Sequence, residues 1–280
     1  LGQSRLGVAG GTTNTAPVNG STTGAAGSQA NRAVTALTMA GGTATTNQTL
    51  IESAAPVGLS ATTDRYYAAS IDVAEDSCSA RPGGVNNNSR LDVALVVGGT
   101  ASPLTTAPII ACNIVGGRYT SPTLTGGFGT ETSVRAGRFF TDTAVRLTPA
   151  QAAQARIRVS NEISASAGND FAFDNLRIVD ATPSLDKAFA TDVGLTGTPT
   201  TLTFTVTNTA ELAAKNDWNF TDNLPQGLVV APTPAIGGTC ANVTGTAFGV
   251  QAAAGATSIV VTGGDLATNA ASCTITVNVV

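Results

Sequence analysis

The residues that could do chemistry are few. Four cysteines stand at positions 78, 112, 240 and 273, and no histidine occurs anywhere in the 280 residues. The gaps between Cys78 and Cys112 and between Cys240 and Cys273 are far too wide for a Cys-x-x-Cys metal knuckle or redox motif, so disulfides are the better reading. Four cysteines allow three connectivities. Pairing Cys78 with Cys112 and Cys240 with Cys273 keeps each bridge inside its own half of the chain and closes loops of roughly 30 residues, worth about 3 to 4 kcal/mol in the chain-entropy model. Free buried thiols are the competing use, because cysteine is also a common core residue. Bridges place the chain in an oxidising, extracytoplasmic compartment.

A second group of candidates is made of oxygens. Alternation along Phe171 to Val179 puts Asp174 on one face with Ala172, Leu176 and Ile178, and a carboxylate on an apolar face needs a partner. A Ca²⁺ ion fits the local supply from Asn169, Asp170, Asp174 and Asn175, with the carboxylates at 72, 75 or 76 as distant ligands. An arginine partner or a turn-capping role competes with the ion.

The missing imidazole excludes more than any residue present suggests. Without it there is no Ser/His/Asp or Cys/His nucleophilic pair, no His-bearing zinc or iron site and no His acid/base at neutral pH. Carboxylate pairs remain formally available, but none stands apart from turn and ion-pair residues, and no enzymatic activity is expected. The Gly-rich pieces lack the Lys-Ser/Thr of a P-loop and read as turns. Charged residues are 11% of the chain, with net charge −4, and the 12 Arg and 2 Lys are scattered singly, so no nucleic-acid partner is expected. Arg135, Arg138, Arg156 and Arg158 lie on candidate strands, where a guanidinium can hold a carboxylate bidentately. No apolar run approaches 18 residues and no signal peptide is present, so no transmembrane segment is expected; a chain starting at Leu1 reads as a processed or trimmed product.

The elements that must position these residues divide the chain in three. Residues 1–65 carry no aromatic side chain and five charges among Gly, Thr, Asn and Ser clusters. They read as an extended segment that can hardly form a core alone, with strand-like pieces at Ala33 to Met39 and Gln48 to Ile51 that pair onto the following domain or onto another molecule; a flexible linker is the bland alternative. Residues 66–181 carry strand candidates at Tyr66 to Glu75, Arg90 to Val97, Pro108 to Cys112, Val134 to Phe140, Arg156 to Ile163 and Phe171 to Val179. A short helix is expected at Pro149 to Ala155, capped by Thr148. Residues 182–280 alternate cleanly: Leu202, Phe204 and Val206 share one face, as do Cys273, Ile275 and Val277. Some seven such segments in roughly 100 residues predict an immunoglobulin-like sandwich.

Four stretches in this last region carry a family likeness: Thr182 to Phe189, Leu202 to Asn208, Phe220 to Val230 and Ser272 to Val277. In that order and spacing they resemble the Ig-like conserved-repeat domain of large bacterial surface proteins. The preceding Gly168 to Ile178 resembles the closing strand of the jelly-roll-type module that often stands before such repeats. The resemblance implies a jelly-roll-like β-sandwich followed by an Ig-like β-sandwich; with the Gly/Thr-rich extended N-terminal segment read from composition, the chain is expected to be all-β. It also implies a bound calcium near the closing strand, which supports Asp170 and Asp174. In some surface adhesins a lysine of the first strand and an asparagine of the last are joined by an isopeptide bond. Lys187 and Asn278 hold those places, but Asn278 has the parity of Thr274 and Thr276, away from the core.

The function expected from all this is structural. The chain reads as a non-enzymatic protein of the bacterial cell surface or extracellular matrix, self-associating into a filament or forming part of an adhesin stalk, with residues 1–65 as a strand donor to a neighbouring subunit. The alternative is a carbohydrate-binding, lectin-like adhesin module with a glycan or surface ligand, for which Tyr66, Tyr67, Tyr119, Phe128, Phe139 and Phe140 are the available aromatic platforms.

Overall fold

The computed structural model describes residues 33–36, 47–76, 88–113, 119–121, 124–126, 129–131, 134–162, 171–190, 197–241 and 247–280, with backbone alone for 36, 76 and those between 119 and 136. The described chain is all-β apart from one short helix and a 3-10 turn. Its contacts divide it into two compact units, one from residues up to 61, 69–141 and 149–179, the other from 62–68, 142–148 and 180–280.

In the first unit one sheet runs in the order β1 (Val34–Ala36), β12 (Phe171–Asp180), β3 (Arg65–Asp76), β9 (Val134–Phe140), β6 (Tyr119–Ser121). A second sheet runs β2 (Gln48–Glu52), β11 (Arg156–Asn161), β4 (Leu91–Val97), β5 (Thr100–Pro103). A small hairpin pairs β7 (Leu124–Gly126) with β8 (Gly129–Glu131). Alternation explains these strands: Leu91, Val93 and Leu95 of β4 and Ile157 and Val159 of β11 are buried while Asp92, Arg156 and Arg158 turn outward. The helix α1 (Pro149–Gln154) starts where proline's fixed φ suits a first turn and ends one residue before the expected limit.

One expectation changed here, and of two alternatives left open for the N-terminal stretch the structure takes the first. Pro108 to Cys112 is not a strand. Ile109 makes a single bridge to Leu91 and the chain then turns in a 3-10 turn at Ala111–Asn113, since proline gives the ladder no N–H. The strand-like pieces of the N-terminal stretch pair within their own chain, Val34–Ala36 on β12 and Gln48–Glu52 on β11.

The second unit is also built on two antiparallel sheets. The order is β13 (Ser184–Phe189), β14 (Thr200–Thr207), β19 (Ser272–Val279), β16 (Gly237–Gly238) in one, and β15 (Lys215–Asn223), β18 (Ser258–Leu266), β17 (Gly249–Gln251) in the other. Leu202, Phe204 and Val206 of β14 and Cys273, Ile275 and Val277 of β19 form one inner face, as their alternation predicted. Ile259 and Val261 of β18 and Trp218 of β15 supply the other, and Phe204 and Phe220 meet between them with ring centroids 5.2 Å apart. The unit also takes in the start of β3 and β10 (Val145–Leu147), which pair with each other. Ala181 N–H donates to the Tyr66 carbonyl at 2.8 Å, and the Tyr66 hydroxyl donates to the Asn216 carbonyl at 2.5 Å.

Gly264 of β18 lies opposite Trp218, and a Cβ placed there would come within 2.3 Å of the indole ring. The ring is buried and rigid, so it cannot give way cheaply. Gly264→Ala is expected to destabilise this unit by about 1–3 kcal/mol through overpacking. Because the chain has a single tryptophan, its fluorescence reads both the displacement and the denaturation midpoint.

Candidate functional site

Of the oxygen candidates, the described members serve one another. Asp72 of β3 is fully buried and accepts from Arg138 of β9 through Nε at 2.8 Å and Nη2 at 3.0 Å. The register sets Asp72 directly opposite Arg138, which is what brings the planar fork onto the carboxylate. Asn175 Nδ2 donates to the same Asp72 carboxylate at 3.0 Å, and Asn175 Oδ1 accepts from Arg177 Nε at 2.8 Å. Asp174 Oδ1 accepts from the Asn175 backbone N–H at 2.6 Å.

Asp72, one of the distant ligands considered, is thus held by an arginine, while Asp174 caps the Asn175 backbone N–H. The Asn175 carboxamide is spent on Asp72 and Arg177; of the other distant ligands considered, Glu75 accepts from the Ser89 N–H, and the Asp76 side chain lies outside the described residues. Asn169 and Asp170 lie outside the described residues. Among the described residues no group of three or more His, Cys, Asp or Glu side chains could hold a metal ion. Asn175 takes a left-handed conformation, φ 53°, which interrupts the extended backbone one residue after Asp174.

The cysteines are placed as follows. Cys240 and Cys273 form a disulfide, Cα to Cα 4.8 Å. Cys112 is disulfide-bonded as well; Cys78 lies outside the described residues. Lys187 and Asn278 are not neighbours: Lys187 pairs with Phe204 in register and Asn278 with Thr201, whose hydroxyl donates to Asn278 Oδ1 at 3.0 Å.

A cleft of about 370 Å³ in the first unit is lined by Glu52, Pro56, Val96, Gly98, Gly99, Gln154 and Arg156. It contains no aromatic platform for a sugar. Its one carboxylate, Glu52, is engaged by Arg158 at 2.7 Å and Arg156 at 3.8 Å. Of the candidate platforms elsewhere, Tyr66 and Tyr67 are buried and Phe140 is exposed, while the Tyr119 side chain and Phe128 lie outside the described residues. Asp92 of β4 is a carboxyl that the sequence did not single out. Burial, and then the nearby Glu162 charge, push its pKa above the usual range, while Thr105 Oγ1 donates to it at 3.2 Å.

The most unusual surface is the margin of the second unit along β13. Leu185, Lys187 and Phe189 lie opposite Val206, Phe204 and Leu202, so they continue the inner, core-facing row of the sheet. Yet Leu185 is 44% and Phe189 43% exposed, because the three-stranded sheet opposite does not reach over them. Lys187 Nζ instead meets Asp222 Oδ1 of β15 at 2.7 Å, tying the two sheet edges together. Asp222 Oδ2 is buried without a hydrogen-bond partner among the described residues. All six residues of β13 are exposed, and its far edge carries no partner strand among the described residues. Ala190 N–H donates to the Thr201 carbonyl, so by the two-residue period the N–H groups of Ala188 and Asp186 face β14 and those of Phe189, Lys187 and Leu185 face outward.

Residues 183–280 match a family described as a domain of unknown function, DUF7933. No curated protein and no solved structure matches the chain. Among the described residues no helix is long and apolar enough to cross a membrane.

Proposed function

We propose that the chain is a non-enzymatic structural protein of an extracellular, cell-surface or matrix setting, and that it self-associates by strand addition at the open margin of its C-terminal sandwich. The observation that carries this reading is β13: an inner apolar row, Leu185 and Phe189, that runs out past its cover beside outward-facing backbone N–H groups. A strand laid along β13 satisfies those groups, shields both side chains and brings donors near Asp222 Oδ2. The disulfide supports an oxidising location. Because 34–36 and 48–52 pair at home, the donor segment proposed is 1–32 of a neighbouring chain.

The test is Leu185→Pro, which removes an outward N–H and leaves the bonds to β14 untouched. Light scattering of the purified full chain is expected to show oligomers for the parent and monomer for Leu185→Pro, with unchanged circular dichroism. Deleting 1–32 is expected to do the same, since β1 and β2 remain. Assembly of Leu185→Pro equal to the parent's would overturn the edge; assembly of the deletion alone would overturn the donor.

A further inference from the structure

Lys215, the first residue of β15, is fully buried, which is unusual for lysine. Its Nζ donates to three oxygens: Asn208 Oδ1, Thr209 Oγ1 at 2.9 Å and Glu211 Oε1 at 2.8 Å. Glu211 is itself nearly buried, with a side chain 7% exposed, and also accepts from the Thr209 hydroxyl.

The Asn208 carboxamide is held from every side. Its Nδ2 donates to the carbonyls of Ala270 at 2.8 Å and Ala213 at 3.2 Å, and its Oδ1 accepts from the Thr209 backbone N–H at 2.8 Å as well as from Lys215. An amine, an amide carbonyl polarised by a backbone N–H, and a carboxyl group thus meet in a site screened from water. That is the set of groups needed for amide exchange: a nucleophile, an electrophile and a proton carrier. All four residues come from the turn after β14 and the start of β15, so the local chain path alone assembles them.

We propose that Lys215 and Asn208 become joined by an intramolecular isopeptide bond, with Glu211 carrying the proton. Lys215 passes a proton to the Glu211 carboxylate and becomes a neutral amine. Its Nζ attacks Cγ of Asn208, whose oxygen is held by the Thr209 N–H; Glu211 gives its proton to Nδ2 as the C–N bond breaks and takes up the second proton from Nζ, ending as a neutral carboxylic acid. One Nζ–Cγ bond forms, one Cγ–Nδ2 bond breaks, and one molecule of ammonia leaves, with no oxidant or cofactor. Burial already pulls the Lys215 pKa below the ordinary lysine range, against the attraction of Glu211. Burial pushes the Glu211 carboxyl up, but hydrogen bonds from Lys215, Thr209 and its own backbone outweigh that, so its net shift is downward. Protonating Glu211 is therefore the uphill step, and departure of ammonia makes the sequence irreversible. The bond replaces a buried ion pair by a neutral amide, which removes the desolvation cost of two charges.

The test is mass analysis of the purified, reduced full chain. The parent is expected to weigh less than its sequence by one ammonia. Trypsin acting on the denatured chain is then expected to cut after Lys187 and not after Lys215, whose Nζ no longer carries a charge, and fragmentation is expected to show residues 208 and 215 joined. Glu211→Gln keeps the size of the side chain without its proton chemistry, and Lys215→Met removes the nucleophile. Both are expected to show full sequence mass, and trypsin is expected to cut after residue 215 in Glu211→Gln. A parent of full mass that is cleaved after Lys215 would overturn the proposal whether or not the variants fold. So would a parent lighter by ammonia yet cleaved there, which is the mark of an ordinary asparagine succinimide. A Glu211→Gln chain that still carries the bond would remove Glu211 from its role.

Discussion

Arg138→Ala is expected to destabilise the first unit by about 3–5 kcal/mol, the cost of stranding a buried charge. The asymmetry of the pair is what makes this the larger of two related effects. Asp72 has no exposure at all, while the Arg138 side chain is 40% exposed. Without Arg138 the carboxylate keeps the single bond from Asn175 Nδ2 and loses two charge-assisted hydrogen bonds. In Asp72→Asn the guanidinium still reaches solvent and the new carboxamide still offers an oxygen, so the loss is expected to be about 1–2 kcal/mol. Calorimetric scans of the two variants against the parent measure the order. A greater loss in Asp72→Asn than in Arg138→Ala would contradict this account of the cluster.

The second large effect concerns the disulfide. Changing both Cys240 and Cys273 to Ser is expected to cost the second unit about 3–4 kcal/mol, because the bridge closes a loop across 33 residues of sequence and so restricts the unfolded chain. The double change matters. A single change leaves a thiol free to exchange with other cysteines, whereas the double change removes only the covalent tie, to the extent that serine fits the Cys273 site, which is 7% exposed. Trp218 fluorescence in urea reads the transition. Adding reductant is expected to lower the parent's midpoint for this unit and to leave that of the double variant unchanged. A parent midpoint insensitive to complete reduction would show that the bridge constrains little.

Much of the second unit could be read in the sequence because its strands obey a period of two without interruption. Leu202, Phe204 and Val206, and Cys273, Ile275 and Val277, are buried as that alternation requires. The stretches that misled are those where one residue breaks the period. Asn175, at φ 53°, interrupts the extended backbone of β12 one residue after Asp174. Asp217, at φ 59°, does the same in β15, so Lys215 and Trp218 are both buried although an odd number of steps separates them. No local pattern announces such a bulge, so in the sequence Lys215 is one polar residue among several.

Long-range pairing was hidden for another reason. Residues 62–68 and 142–148 are placed with the C-terminal unit by backbone bonds to partners far along the chain, such as Ala144 N–H to the Ala214 carbonyl and Ala181 N–H to the Tyr66 carbonyl. The open margin was similarly invisible, since Leu185 and Phe189 have the alternation of ordinary core residues. Only the number of strands in the facing sheet decides that they are left uncovered.

The central claim is that this chain associates with itself. Sedimentation of the purified protein across a wide concentration range, with electron microscopy of the most concentrated sample, tests it most directly. The account predicts sedimentation coefficients that rise with concentration and elongated assemblies on the grid. A single monomeric boundary at every concentration, with no assemblies on the grid, would contradict it.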